Sequence, residues 1–372
     1  MITILKTVLI ISAITGSLAY LLSLANKTIA NYGDKKMIIN DEKEYIVNGG
    51  DTLLTALLEE EIYIPSACGG KGSCGYCKVK VVEGGGRFLP TEHGYVSDQE
   101  QKNGVRLSCQ LKVKEDIKIE IDEELFNVKQ YDYDIEFMKD VTPKIKHIRA
   151  NIPEGETISF KPGQYIQILA PKYKGLKGDI SNKEEVYRAY SIASSPTDNT
   201  SLEVFIGYIP GGICTTYIHK HLKQEDQLTI VGPYGDFYYQ EGDRPMVMVA
   251  IGTGMAPIMS ILLYMRDHKI DRECTFYFGA RTREDLYMME ELQQLEKDLP
   301  RFKLITCLSK PTEACNWQGD KGRVTNLIEK YLDNGPECEA YLCGSPVMID
   351  SVTPLLKEKG IPEDQIYYDS FE

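Results

Sequence analysis

The sequence predicts a multidomain protein in which an N-terminal transmembrane helix precedes three globular domains. These domains are a small α+β domain, an antiparallel β-barrel and an α/β domain with a parallel sheet. Three observations support the prediction. An uncharged run of twenty residues lies near the N-terminus, and a glycine-rich loop with three closely spaced cysteines follows it. The hydrophobic pattern then changes from short strands separated by Pro and Gly to apolar strands that alternate with helices.

Length, charge and cysteine content narrow the class of protein. With 372 residues the chain is too long for one ordinary hydrophobic core. A formal net charge of −13 argues against nucleic-acid binding, which needs basic surfaces. Outside the cysteine loop, the remaining cysteines show no paired spacing, which favours a reducing compartment.

The uncharged run covers residues 7–26 and lies between Lys6 and Lys27. It is long enough to cross a bilayer, and it contains no ionisable side chain that could form an ion path. A cleaved signal peptide is the alternative. The lysines after the run favour a cytoplasmic body. We therefore expect an anchor over residues 1–26, a linker over residues 27–36, and a single-pass protein of the cell inner membrane.

Three cysteines on one loop, with a fourth from a distant segment, predict a 2Fe–2S cluster. Cys68, Cys74 and Cys77 are separated by five and two residues, and Cys109 follows after thirty-one more. Thiolates bind the two irons, and the loop glycines let the backbone wrap the inorganic sulfides. A zinc site or a disulfide is the alternative, but zinc sites usually pair two short Cys-x-x-Cys hooks.

Residues 37–127 mix short strands with one helix, which predicts a β-grasp domain around the cluster loop. A hairpin is expected over residues 38–47, a helix over residues 51–61, and strands over residues 79–82 and 117–121. Four leucines of the helix are expected to face inward: Leu53, Leu54, Leu57 and Leu58.

Residues 128–241 are typical of an antiparallel barrel, because closely spaced strands alternate with turn residues. The expected strands cover residues 159–165, 166–170, 202–206 and 227–231.

Two motifs in this barrel favour a flavin site. Arg188, Tyr190 and Ser191 end a strand, where an arginine can neutralise a pyrophosphate, an aromatic ring can cover a flavin and a hydroxyl can donate to flavin N5. An ordinary buried strand end is the alternative. The glycine turn of residues 210–216 opens a helix, where free N–H groups suit a phosphate, although it could be a simple capping turn.

Residues 242–372 predict a parallel α/β domain that binds a nicotinamide nucleotide. Strands are expected over residues 246–251, 274–278, 303–308 and 340–342. The first strand runs into a glycine turn followed by a helix, an arrangement that lets backbone approach a dinucleotide phosphate. The turn consists of Gly252, Thr253, Gly254, Met255, Ala256 and Pro257.

Together, these motifs resemble the flavin and nicotinamide domains of the ferredoxin-NADP reductase superfamily. The resemblance implies that FAD is held by Arg188, Tyr190, Ser191, Gly212, Cys214, Thr215 and Thr216. It also implies that Cys343 and Gly344 lie beside the nicotinamide, although Cys343 could equally be a core thiol. The C-terminal Phe371 would cover the flavin, unless the tail is frayed.

The choice between NADH and NADPH depends on the residues after the second strand of this domain. Arg281 and Arg283 could each bind a 2′-phosphate, whereas Glu284 and Asp285 would repel it. The sequence therefore favours NADH.

Across essentially its whole length, the chain resembles the family of F subunits of sodium-translocating NADH:quinone reductases. Close local matches cover residues 66–70, 84–92, 106–110 and 254–257. The resemblance implies that electrons pass from NADH through FAD and the 2Fe–2S cluster to membrane subunits of a respiratory complex that reduces ubiquinone. The alternatives are a self-contained reductase for an oxygenase or a low-potential corrinoid protein, and a non-enzymatic, tethered electron carrier.

Overall fold

In the computed structural model, residues 6, 10–20, 32–176 and 178–371 are described. The chain divides into two compact units, residues 1–128 and 129–372. Residues 10–20 are helical (α1), whereas the rest of the predicted membrane span lies outside the described residues. Within the described ranges, no helix has the length and hydrophobicity needed to cross a membrane.

The first unit contains a five-stranded mixed sheet with one helix packed beside it, as expected for a β-grasp domain. Its elements are β1 (Asp34–Ile39), β2 (Lys43–Asn48), α2 (Leu53–Glu59), β3 (Lys78–Glu83), α3 (Asp98–Lys102), β4 (Val105–Leu107) and β5 (Ile117–Glu120). The strand order is β2-β1-β5-β3-β4, and β1 and β5 run parallel. Because β1 begins at Asp34, residues 34–36 of the predicted linker belong to this sheet.

Helix α2 is shorter than predicted, and one of its four leucines does not face the core. It begins after Thr52, whose side chain accepts a hydrogen bond from the Thr55 N–H and caps the first turn. Leu53 and Leu57 are buried, but Leu58 is 39% exposed. The prediction for Leu58 was wrong because consecutive helical residues point about 100° apart, so its neighbour Leu57 takes the inward direction.

The second unit begins with a six-stranded antiparallel barrel. Its elements are β6 (Lys129–Thr142), β7 (Ile145–Asn151), β8 (Tyr165–Ala170), β9 (Val186–Ser191), β10 (Ser201–Gly207), α4 (Ile213–Lys220) and β11 (Gln227–Tyr234). The order is β10-β7-β6-β11-β8-β9, and a bridge between Ile192 and Val204 links the two outer strands. The strand expected over residues 159–165 starts only at Tyr165, because Pro162 and Gly163, at φ +114°, form a turn.

A parallel six-stranded sheet forms the rest of the second unit. Its elements are β12 (Met246–Ile251), α5 (Met255–Asp267), β13 (Cys274–Ala280), α6 (Met289–Asp298), β14 (Phe302–Leu308), β15 (Asp320–Lys321), α7 (Val324–Tyr331), β16 (Glu339–Gly344), α8 (Pro346–Glu358) and β17 (Ile366–Ser370). The order is β15-β14-β13-β12-β16-β17. All six strands run parallel, but the order in which the chain adds strands switches from one side of β12 to the other at β16. The crevice at the carboxyl ends of β12 and β16 is therefore the expected ligand site.

A buried ion pair fixes the connection between barrel and sheet. The Arg272 guanidinium lies 2.8 Å from Glu339, and both side chains are at most 5% exposed. Arg272 also donates to the carbonyl oxygens of Gln240 and Arg244, at 2.9 and 2.6 Å. Because residues 240–244 connect the two folds, these bonds hold the barrel in register with the parallel sheet.

Candidate functional site

The four predicted cluster ligands come together in the first unit as two pairs. The Cys74 thiol donates to Cys68 and lowers the pKa of Cys68 to about 4. The Cys77 thiol likewise donates to Cys109 and lowers the pKa of Cys109 to about 7. In the part of the chain that the structure describes, no three His, Cys, Asp or Glu side chains are grouped around one metal position. Two thiolates for each of two irons is the donor set that a 2Fe–2S cluster requires.

The loop that carries three of these cysteines is shaped by glycine. Gly72 has φ +71°, and a Cβ atom there would lie 2.5 Å from Gln110 Nε2. Gly75 has φ +74°, and a Cβ atom there would lie 3.1 Å from the Tyr95 ring. Gln110 Nε2 in turn lies 3.5 Å from Cys109 Sγ, where it donates to the sulfur. The residues present therefore fit a cluster that needs a close backbone wrap and donors to sulfur.

A buried ion pair holds the segment that carries Cys109. The Glu92 carboxylate, 0% exposed, accepts hydrogen bonds from Arg106 Nε at 2.9 Å and from Arg106 Nη2 at 2.8 Å. It also accepts from the backbone N–H groups of Leu107 and Leu89, each at 2.9 Å. Burial alone would raise the pKa of Glu92, but these hydrogen bonds outweigh burial and lower it. No motif in the sequence predicted this pair.

In the second unit, the predicted flavin residues of β9 line the edge of the barrel. The Tyr190 ring is partly accessible, while its hydroxyl is buried against the Cys214 thiol, and burial raises its pKa. Arg188 donates to the carbonyl oxygen of Tyr187 at 2.7 Å and is half-buried. An accessible aromatic face beside a guanidinium can accommodate a flavin with its pyrophosphate.

The glycine turn at Gly212 leads into α4, and its N-terminus has no side-chain cap. The first N–H groups of the helix therefore remain available for a phosphate. A Cβ atom at Gly212 would lie 2.6 Å from Thr215 Oγ1, so only glycine leaves this turn intact. Thr215 Oγ1 donates to the carbonyl oxygen of Ile209 at 3.1 Å, and Thr216 is buried. Both hydroxyls thus lie at the turn, and that of Thr215 supports its shape.

The predicted nicotinamide residues meet at the carboxyl ends of β12 and β16. A Cβ atom on Gly254 would lie 2.1 Å from the Cys343 carbonyl oxygen, so this turn packs directly on β16. The α5 helix that follows also lacks a side-chain cap. The Cys343 thiol is fully buried, and burial raises its pKa. The Phe371 N–H donates to the Gly344 carbonyl oxygen at 2.9 Å, which ties the C-terminal residues to this edge.

Asp369 joins the flavin and nicotinamide residues, and the sequence analysis missed it. Its backbone pairs with Cys343 across the parallel strands β16 and β17. Its carboxylate accepts a hydrogen bond from the Ser191 hydroxyl at 3.5 Å. Burial raises the pKa of Asp369 to about 6. The only sequence signal was its place beside the C-terminal aromatic, in a tail that the structure forms into a strand.

A cavity of about 590 Å³ extends from this edge of the sheet. Gly252, Ser345 and Met348 line it near the switch point, and Arg281, Lys310 and Arg323 line it farther out. Arg283, the other arginine considered from sequence, instead donates to the Cys315 carbonyl oxygen and is not among the residues that line the cavity. A cleft of this size at a topological switch point is typical of a nucleotide site.

Three family models match successive parts of the chain. A 2Fe-2S iron-sulfur cluster binding domain matches residues 37–114, an oxidoreductase FAD-binding domain matches residues 132–239, and an oxidoreductase NAD-binding domain matches residues 248–353. These matches confirm the predicted cofactors, FAD, a 2Fe–2S cluster and NAD, and the order of their domains.

The chain is also similar to curated proteins over almost its full length. It is 37% identical to the F subunit of the Na(+)-translocating NADH-quinone reductase of Idiomarina loihiensis, over 95% of both chains. The protein of the same name from Methylococcus capsulatus is 34% identical over 100% of both chains.

Solved structures show the same fold at lower sequence identity. A cytochrome P450 reductase from Amycolatopsis has a TM-score of 0.72 at 22% identity and covers 91% of this chain and 98% of its own. The ferredoxin reductase in carbazole 1,9a-dioxygenase has a TM-score of 0.67 at 22% identity, with the same coverage.

Proposed function

The chain belongs to the family of Na(+)-translocating NADH-quinone reductase F subunits, and we propose that it is the NADH-oxidising subunit of such a membrane complex. It is an NADH-dependent flavin and iron–sulfur oxidoreductase. When bound, FAD and the 2Fe–2S cluster supply the conversion of a two-electron hydride transfer into single-electron steps. The chain itself contributes binding, orientation and exclusion of water, for which it needs no nucleophile.

The convergence of Ser191, Cys343 and Asp369 carries this proposal. The Ser191 hydroxyl donates to the Asp369 carboxylate at 3.5 Å, and with FAD bound it would turn to donate to flavin N5 instead. The buried Cys343 thiol fills the wall beside the nicotinamide, and Phe371 closes the same edge from the C-terminus. A hydride donor and acceptor held face to face in a site with buried walls react without further catalytic groups.

The remaining predicted residues would hold the rest of the two nucleotides. Arg188 and Tyr190 would bind FAD together with the turn of Gly212, Cys214, Thr215 and Thr216. The turn of Gly252, Thr253, Gly254, Met255, Ala256 and Pro257 would bind NADH, together with Arg281, which lines the cleft, and Gly344 at the carboxyl end of β16. The proposed domains cover residues 37–127, 128–241 and 242–372, with the first extended to Asp34, where β1 begins.

We further propose that residues 1–26 anchor the chain in the cell inner membrane, with its catalytic body in the cytoplasm. Support comes from α1, on which Ile10, Ile11, Ile14 and Leu18 are each more than half exposed. Apolar side chains without a protein partner on a helix are suited to lipid or to another transmembrane helix. The proposed partners are the membrane subunits that carry electrons to ubiquinone and couple them to sodium transport.

Two alternatives from the sequence remain less favoured. A reductase for an oxygenase finds support only in structures of 22% identity, which share the fold. A non-enzymatic carrier would not need the intact turn at Gly254 or the cavity beside it.

Gentle, anaerobic solubilisation of native membranes tests the proposal. Mass spectrometry of what remains bound to this chain should identify stoichiometric multi-span subunits. Recovery of the chain alone, with flavin that NADH can reduce, would instead favour a tethered reductase with a transient acceptor.

A matched variant separates the two halves of the electron path. Cys109→Ala removes one cluster ligand, so we expect NADH to bleach the flavin while reduction of quinone by the isolated complex is lost. The Cys315→Ala variant, at a partly exposed cysteine of the second unit, serves as the control and should retain both activities. Loss of flavin bleaching in Cys109→Ala would contradict the proposed order of transfer.

A further inference from the structure

Three cations lie together on one wall of the nucleotide cavity. Arg281, Lys310 and Arg323 all line it, and all three side chains are exposed. None of them forms an ion pair with another described residue. In a chain with a net charge of −13, three cations without acidic partners at one cavity indicate an anionic ligand.

The backbone brings these three residues to one edge of the sheet. Arg281 directly follows β13, and Lys310 follows β14 by two residues. The Lys310 N–H donates to the Arg281 carbonyl oxygen at 2.8 Å. The Gly322 N–H donates to the Leu308 carbonyl oxygen at 2.9 Å, which brings Arg323 to the end of β14.

Their position does not match the diphosphate of a nicotinamide nucleotide. The glycine turn after β12 and the uncapped N-terminus of α5 already provide a diphosphate site. β14 lies two strands from β12, roughly 10 Å away at the usual strand spacing. With the nicotinamide at Cys343, on the other side of β12, the three cations lie at the adenosine end of the ligand.

The acidic residues near this wall do not offset the cations. Of the described residues that line the cavity, Asp285 is the one carboxylate, and it accepts hydrogen bonds from the Thr282 N–H and hydroxyl, both at 2.9 Å. Glu284 is exposed and lies outside the lining. Sites selective for NAD usually offer a carboxylate to the ribose 2′-hydroxyl, whereas NADP sites offer a cation to the 2′-phosphate.

We infer that the cavity also accepts NADPH, whose 2′-phosphate binds between Arg281, Lys310 and Arg323. This inference rests on the proposed function, because it assigns a second substrate to the same nicotinamide site. It also changes the conclusion drawn from the sequence, where Glu284 and Asp285 were expected to repel a 2′-phosphate.

Steady-state and binding measurements on the purified full chain, loaded with FAD, test this inference. With ferricyanide as acceptor, NADPH should support turnover with a kcat/KM within about tenfold of that for NADH, as charge-assisted contacts to the extra phosphate predict. As an inhibitor of NADH oxidation, 2′,5′-ADP should bind at least about tenfold more tightly than 5′-ADP, and added salt should reduce this difference.

A charge-reversal variant and its control test whether Lys310 contacts the 2′-phosphate. Lys310→Asp should lower kcat/KM for NADPH at least about tenfold more than it lowers kcat/KM for NADH. Lys321→Asp makes the same charge change on exposed β15, outside the cavity lining, and should leave the NADPH to NADH ratio unchanged.

The outcomes separate this inference from the proposed function. The inference would be overturned, and the proposed function left intact, if the chain oxidised NADH but not NADPH and bound 2′,5′-ADP no more tightly than 5′-ADP. An equal effect of Lys310→Asp and Lys321→Asp on the ratio would also overturn it. Failure of NADH itself to reduce the flavin would overturn the proposed function.

Discussion

Removal of the Glu92 charge should destabilise the cluster domain far more than removal of an exposed charge nearby. In Glu92→Gln the side chain keeps its shape but loses its charge and one strong acceptor. Arg106, whose side chain is only 7% exposed, would then remain as a buried guanidinium without a counterion.

The size of this effect follows from burial. A buried ion pair that loses one partner costs about 3–5 kcal/mol in the free energy of unfolding, because the remaining charge is desolvated without compensation. The exposed pair of Lys78 and Glu100, in the same unit, has side chains that are 36% and 35% exposed. Such a pair contributes about 0–1 kcal/mol, so Glu100→Gln is the control.

Loss of the visible absorbance of the cluster during a urea titration reports the unfolding of this domain. We expect the midpoint for Glu92→Gln to fall by more than about 1 M, given the usual dependence of stability on urea. The electron paramagnetic resonance spectrum of the reduced cluster should also broaden, because the segment of Cys109 loses its support. Equal and small midpoint shifts for Glu92→Gln and Glu100→Gln would refute the reasoning.

Two further predictions concern the second unit. Burial raises the pKa of the Asp369 carboxyl to about 6 in the folded chain, above its value in the unfolded chain. The free energy of unfolding should therefore decrease as pH rises from the unfolded-state pKa through 6. The ionised carboxylate retains the Ser191 hydroxyl and adds negative charge, so the rate of flavin reduction by NADH should fall as pH rises through 6. Stopped-flow measurements should show this fall in the unmodified chain and not in Asp369→Asn. An unchanged fall in Asp369→Asn would exclude Asp369 as its origin. Gly254→Ala should reduce the rate of flavin bleaching by more than about tenfold, because its Cβ would lie 2.1 Å from the Cys343 carbonyl oxygen. Gly252→Ala meets no atom within 4 Å and at φ +54° should cost only about 1–2 kcal/mol of stability. A stability loss in Gly254→Ala no larger than that in Gly252→Ala would contradict the packing argument.

The sequence alone was sufficient wherever the chemistry is local. Cys68, Cys74 and Cys77 reveal a cluster loop because ligand type and spacing belong to a few adjacent residues. The turn of Gly252 and Gly254 was identifiable for the same reason, since a strand, a glycine turn and a helix follow one another along the chain. The change from barrel to parallel sheet could also be predicted, because hydrophobic periodicity reports local structure.

Helix faces were less predictable than helices. The run of leucines in α2 indicated a helix, but it did not show that Leu57 would be buried while Leu58 stayed 39% exposed. The helix meets the sheet over one narrow face, and the sequence of a seven-residue helix contains too few turns to define that face.

Only the tertiary structure decided which distant residues meet. Ser191 and Asp369 are 178 residues apart, and they meet because β17 pairs with β16 and the barrel packs against this edge. Arg281 and Lys310 likewise share a wall because β13 and β14 are neighbours in the sheet. Strand order is set by the packing of the whole domain, so no local pattern in the sequence could bring these side chains together.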